Sequence, residues 1–270
     1  MKTKKQLNGA ILYEGPSLID GKPIVAIVTG LKDASKNDKT GGMLQTWIIR
    51  TDVGPKEAAH NGEDFSICGD CPHRMRLYQE AFGFVARRSC YVNLRTPIMV
   101  YKCFKRGGYL YADDKVKATI RERHLRMGSY GDPVAVPYEV WEEYLPKNAL
   151  HRTGYTHQWD KPWFSDARFK DILMASVDSR LEQIKAQSKG WRTFYVKPEN
   201  SLEKITGFQC PSDPNLDTHL SCFKCGACHG APKGSRKASP WITSHGPTKK
   251  RIGQFSFPVL DNSDPSMGVS

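Results

Sequence analysis

Several features are scarce in this 270-residue chain, and each absence excludes something. No run approaches eighteen consecutive apolar residues, so no segment reads as a membrane-spanning helix. The basic opening Met1-Lys-Thr-Lys-Lys5 meets Gln6, Asn8 and Gly9 instead of an apolar stretch, so no secretory signal is read. The expected compartment is therefore the reducing cytoplasm, where thiols favour metals over disulfides. No Gly-x-Gly-x-x-Gly follows a predicted strand, which removes the dinucleotide and phosphate-loop fingerprints. A His-x-His pair, which would organise a metal for single-strand nicking, is missing, and no internal repeat is found. Acidic residues are short: 28 Asp and Glu against 40 Lys and Arg leave a formal charge of +12. So basic a chain attracts polyanions, nucleic acid foremost, unless the charge is spread over a solvated surface.

Cysteine is not scarce. Of eight, Cys222, Cys225 and Cys228 fall in one run with two residues between neighbours, and Cys210 lies twelve residues upstream. A second cluster is Cys68-Gly-Asp-Cys71-Pro-His73, with Cys90 eighteen intervening residues beyond Cys71. Cys-x-x-Cys closes a tight turn with both thiolates on one side, the spacing of zinc and iron–sulfur sites. Cys210, Cys222, Cys225 and Cys228 supply four thiolates, enough for a closed structural zinc or a four-iron cluster, with His219 and His229 as competing ligands. Cys68, Cys71 and Cys90 supply three, with His73 or Cys103 as a possible fourth. Three protein ligands would leave a metal position open. The downstream set reads as the structural one and the upstream set as the functional one.

Composition, 39% hydrophobic and 25% charged, is that of a globular chain long enough to bury a core without metal. Residues 1–40 read as an extended lead-in containing a strand at Ile24–Thr29. Residues 41–209 read as the core, 210–232 as a Cys-rich metal segment, and 233–270 as a basic Pro/Gly/Ser-rich tail. Within the core, strands are predicted at Gln45–Arg50, Ile98–Phe104, Leu125–Tyr130, Thr153–Trp159, Ile172–Val177 and Trp191–Val196. Helices or turns are predicted at Pro55–Asn61, from Pro137, from an Asp178 or Ser179 cap to Gly190, and near Leu202–Ile205. Strands alternating with helices predict an α/β fold with a parallel sheet, either a partial or full barrel or an open doubly wound sheet.

Predicted strands end in reactive residues: Asp132, His157, Asp178 and Cys210. In parallel α/β folds these ends share one rim, where ligands bind. Asp132, His157 and Asp178 are the candidate catalytic residues. Each also has a plainer role available, as turn former, interior histidine and helix cap respectively. Gly131-Asp132-Pro133 could present backbone amides and a carboxylate to an amine-bearing ligand. Lys115–Arg126, with five basic residues and His124, and Lys233–Arg251 are the basic stretches.

The motifs Cys68-x-x-Cys71-Pro-His-Arg, Ser129-Tyr-Gly-Asp-Pro133, Gly154-Tyr-Thr-His-Gln-Trp159 and Gly190-Trp-Arg-Thr-Phe194 resemble a family of uncharacterised bacteriophage proteins, over most of residues 40–230. That resemblance implies a viral origin, hence a host-cell cytoplasm, and no activity. More distantly, the chain is similar to radical S-adenosylmethionine enzymes: partial α/β barrels with a cysteine triplet after the first barrel strand and a Gly-Glu-Pro-type element at a later strand end. The likeness implies an iron–sulfur cluster on the upstream thiols, and S-adenosylmethionine near Gly131, Asp132 and Ser176. The Cys-x3-Cys-x2-Cys triplet of that family is absent here. Three readings follow: a metal-cluster enzyme acting on nucleic acid or a nucleotide-derived molecule, a zinc-braced nucleic-acid-binding protein, and a replication-type nuclease.

Overall fold

The computed structural model describes residues 8–34, 37–80, 83–199, 201–217, 219–232 and 238–245. Most of the basic tail read from residue 233 onward lies outside the described residues. The chain opens with β1 (Gly9–Pro16), β2 (Pro23–Thr29) and β3 (Leu44–Arg50), followed by α1 (Pro55–Asn61) and α2 (Phe65–Cys68). A hairpin of β4 (Arg76–Glu80) and β5 (Gly83–Arg87) leads to α3 (Arg95–Lys105), β6 (Leu110–Tyr111) and α4 (Asp114–Glu122). Then come β7 (Leu125–Tyr130), α5 (Tyr138–Tyr144), β8 (Arg152–Thr156), β9 (Met174–Val177), α6 (Arg180–Ser188) and β10 (Thr193–Lys197). The described chain closes with β11 (Phe208–Gln209), α7 (Cys222–Cys225) and β12 (Pro240–Thr243).

These elements make an α/β protein around one ten-stranded sheet, in the order β11-β12-β10-β9-β8-β7-β3-β2-β1-β6. From β3 through β7, β8, β9, β10 and β12 to β11 every pairing is parallel. On the other side of β3, β2 and β1 pair antiparallel. The sheet has two distinct ends, β11 and β6. One face of these strands packs into the core: Leu125 and Met127 of β7, Ala175 and Val177 of β9, and Tyr195 of β10 are buried there. Helix α6 packs on β9 and β10. The Ser179 hydroxyl accepts from the Glu182 amide and caps that helix.

Three expectations change. Ile98–Phe104, read as a strand for its apolar content, lies within helix α3. Its burial recurs at Pro97 and Val100, three residues apart, which is a helical stripe and not a strand's alternation. Leu202–Ile205 forms no helical turn: Ile205 packs on the core, but Leu202 is 98% exposed, so the segment lacks the paired apolar side chains that would anchor one. The first forty residues are no lead-in apart from the core. Ile24 to Val28 are fully buried in β2, and β1 lies beside it.

Candidate functional site

The parallel strands bring Asp132, His157, Asp178 and Cys210, the residues following β7, β8, β9 and β11, to one rim of the sheet. Alternation along each strand then selects a face. Gln45 and Trp47 of β3, Arg126 of β7, Thr153 and Tyr155 of β8, Ser176 of β9 and Phe194 of β10 all line one cavity of about 500 Å³. That volume lies within the usual range for small-molecule sites. Cys68, Cys71, Cys90, Cys210, Cys222, Cys225 and Cys228 line the same cavity. The two thiol sets are therefore two walls of one chamber. Cys103, weighed as a fourth upstream ligand, sits on α3 beside Tyr109, away from the cavity.

The upstream wall is held by residues from several elements. Cys68 ends α2, and Gly69 continues with φ +52°, a conformation that favours glycine. A Cβ there would stand 2.4 Å from Gln158 Oε1. Gln158, fully buried, accepts from the Asp70 amide at 3.1 Å and donates to the Cys68 carbonyl at 2.9 Å. The Cys68–Cys71 turn is thus clasped by the residue next to His157. The Cys90 amide donates to the His73 carbonyl at 2.9 Å, which brings Cys90 to the turn despite the long loop. Arg74 donates to Asp64 and to the Gly69 carbonyl, bracing the segment from beneath.

The downstream wall rests on α7, whose Cys222 amide donates to the Lys39 carbonyl. Gly226, with φ +60°, ends the helix and turns the chain toward Cys228. The Cys210 amide donates to Trp241 of β12, fixing Cys210 to the sheet edge. His229 is buried, its Nδ1 bonded to the Gly226 carbonyl at 2.8 Å. Burial pushes the Cys210 thiol up to about 11, and raises Cys222 and Cys228 as well. Burial likewise raises Cys68 and Cys90. Cys71 differs: burial would raise it, but the charge of His157, with His73 behind, brings it below its ordinary value.

Asp178 is released for this site because Ser179 takes the capping role weighed for it. Its Oδ1 lies 3.0 Å from His73 Nε2 and its Oδ2 3.5 Å from His157 Nε2. Burial opposes ionisation of Asp178, yet the two histidines hold its carboxyl well below the usual range. Both imidazoles are raised against their own burial, His73 by this carboxylate and His157 by Cys71 and then by the same carboxylate. Asp132 has the plainer role. One oxygen accepts from the Val134 amide, and the other from Thr156 Oγ1 and the His157 amide, both at 3.0 Å. Its carboxylate ties the end of β7 to the end of β8. Gly131, at φ +82°, packs so closely that a Cβ would lie 2.7 Å from Ile48. Ser176 faces the cavity, and its carbonyl accepts from Trp159 Nε1.

Two cavity cations escaped the sequence reading. Arg126 was counted within a basic stretch, but strand alternation turns it inward, where it donates to Tyr91 Oη at 2.9 Å. Lys39 Nζ lies 2.7 Å from His245 Nε2, and burial lowers its ammonium pKa. Elsewhere in the stretch, Lys117 pairs with Glu143, and Arg123 donates to the Gly30 and Leu31 carbonyls. Among the described residues, no helix is long and apolar enough to cross a membrane. Comparison with protein-family models, curated proteins and solved structures finds no match for this chain.

Proposed function

We propose that this chain is a metal-cluster enzyme that works on a small anionic substrate inside the cavity shared by its two thiol sets. The observation that carries the reading is that seven cysteines, from segments as far apart as residues 68 and 228, line one ligand-sized chamber. Thiolates that only brace a fold close around their ion in a four-ligand knot. Their spacing supports a cluster over a single ion. Sulfurs sharing one tetrahedral zinc stand about 3.8 Å apart, from a bond length of about 2.3 Å. Among the described residues, no three thiols lie within 4.8 Å of one another, whereas Cys68, Cys71 and Cys90 remain close enough to feel each other's charge. A cluster held by Cys68, Cys71 and Cys90 would supply one-electron chemistry and an iron open to a ligand.

The remaining residues fit a binding role. Arg126 and Lys39 present positive charge to the chamber with no carboxylate paired to either among the described residues, which suits a phosphate or carboxylate group. A nucleotide-derived molecule has that charge and fits the volume. A cavity on one face of parallel strands, with β3, β7, β8, β9, β10 and β12 in chain order, supports the reading of a radical S-adenosylmethionine-like enzyme in a coarse sense only. The Gly131–Asp132 element does not fit an amine contact, because both Asp132 oxygens already accept hydrogen bonds from protein. No role for S-adenosylmethionine is assigned there.

Anaerobic purification with iron and sulfide analysis tests the reading. The expected result is a brown protein with several irons and sulfides per chain, and Cys90→Ala losing the upstream share while keeping the downstream one. A colourless protein with stoichiometric zinc would overturn it in favour of a zinc-braced nucleic-acid-binding protein. That alternative predicts retardation of DNA or RNA that weakens as salt rises.

A further inference from the structure

Beside the thiols stands a second set of ligands. His73 comes from the turn after Cys71, His157 from the end of β8 and Asp178 from the end of β9. Their ligand atoms all lie within 4.8 Å of one another, and among the described residues they are the one trio of histidine, cysteine or acidic side chains to do so. Both imidazoles line the cavity. We propose that His73, His157 and Asp178 form a separate mononuclear site for a divalent first-row transition ion.

Three observations carry it. Nitrogen and oxygen ligands about 2.1 Å from one ion stand about 3.0 Å apart in octahedral geometry and about 3.4 Å in tetrahedral geometry. The Asp178 oxygens lie 3.0 Å from His73 Nε2 and 3.5 Å from His157 Nε2. Second, His157 Nε2 is buried and makes no hydrogen bond of good geometry, facing the Asp178 oxygen only at 3.5 Å. A hydrogen-bonded interior histidine would not leave that nitrogen unused, since an unpaired buried polar atom is costly. An ion between the two rings would occupy it. Third, the other His73 nitrogen is tied down: Nδ1 lies 2.8 Å from Ser89 Oγ. Outer hydrogen bonds of this kind fix the ring orientation of ligating histidines. Two histidines and one carboxylate form a set that leaves coordination positions open and suits iron(II), cobalt(II) or zinc. Those positions would face the chamber, so the ion could take an oxygen or anionic group of whatever enters it. Binding requires each Nε2 to give up its proton, so occupancy rises with pH.

The proposed site shares no ligand with the thiol sets but adjoins them, His157 being in contact with Cys71, and the test separates the two. Anaerobic chain is titrated with Co²⁺, and the titration of Asp178→Asn is subtracted from that of the native sequence. The expected difference is one equivalent of Co²⁺ per chain, with ligand-field absorption and no thiolate-to-cobalt charge transfer. His157→Gln should lose the same equivalent, Ser89→Ala should weaken it by about 10- to 100-fold, and Cys90→Ala should retain it. Identical titrations for the native and Asp178→Asn chains would overturn the proposal. So would a difference spectrum carrying thiolate charge transfer, which would place these residues in the thiol site. Iron and sulfide counts made on the same samples report on the thiol sets separately.

Discussion

At the scale of single residues, the site depends on side chains that bind no ligand. Gln158 is the clearest case, since its amide holds both the Asp70 amide and the Cys68 carbonyl in a fully buried position. Replacing it with leucine leaves two partly buried backbone groups unpaired, at up to about 1–3 kcal/mol each. Gln158→Leu should therefore lower the denaturation midpoint and, on the proposed metal loading, release metal from the upstream thiols faster than from the downstream set, as read by chelator challenge. Equal release from both sets would show that the clasp does not organise the turn. The motif Gly154-Tyr-Thr-His-Gln-Trp159 was legible as a motif, but its glutamine carried no sign of its role. Such a role depends on a partner 90 positions away, which local pattern does not encode.

At the scale of elements, the strands of the parallel sheet were legible because alternating or continuous burial left its mark on β3, β7, β9 and β10. Helix α3 was not, because a short apolar run fits either period until its partners are known. Helix α6 is short, and its start is fixed by Ser179. Ser179→Ala should cost about 1 kcal/mol, measured by chemical denaturation. It should also perturb Asp178, which would then stand nearest the uncapped amides. Stability unchanged within error would mean that another group takes over the cap. This one-residue division of labour, Ser179 for the helix and Asp178 for the histidines, explains why a capping role for Asp178 was reasonable from sequence and yet is not what the fold uses.

At the scale of the whole molecule, the hydrophobic core and the thiol chamber are separable. The core is built from β1–β3, β7–β10 and the helices against them, with residues such as Ile24, Ile27, Ile48, Leu125 and Trp141 fully buried. The segment from Cys210 to Cys228 adds Cys210 to that interior but few large apolar side chains, and Leu220 and Phe223 are exposed. Removing metal with a chelator should therefore leave the far-ultraviolet circular dichroism nearly intact while opening residues 210–232 to protease. Global loss of secondary structure on chelation would show that metal is needed for the core. Sequence alone determined the α/β class, the three Cys-x-x-Cys spacings and the strand-end Asp and His residues, because each rests on spacing along a few neighbouring residues. Only the tertiary structure decided that both thiol sets share one chamber, that Arg126 and Lys39 face it, and that His73 meets His157 and Asp178. Those facts are distances between segments up to about 200 residues apart, set by strand order and by which face each strand turns inward, and no local pattern records them.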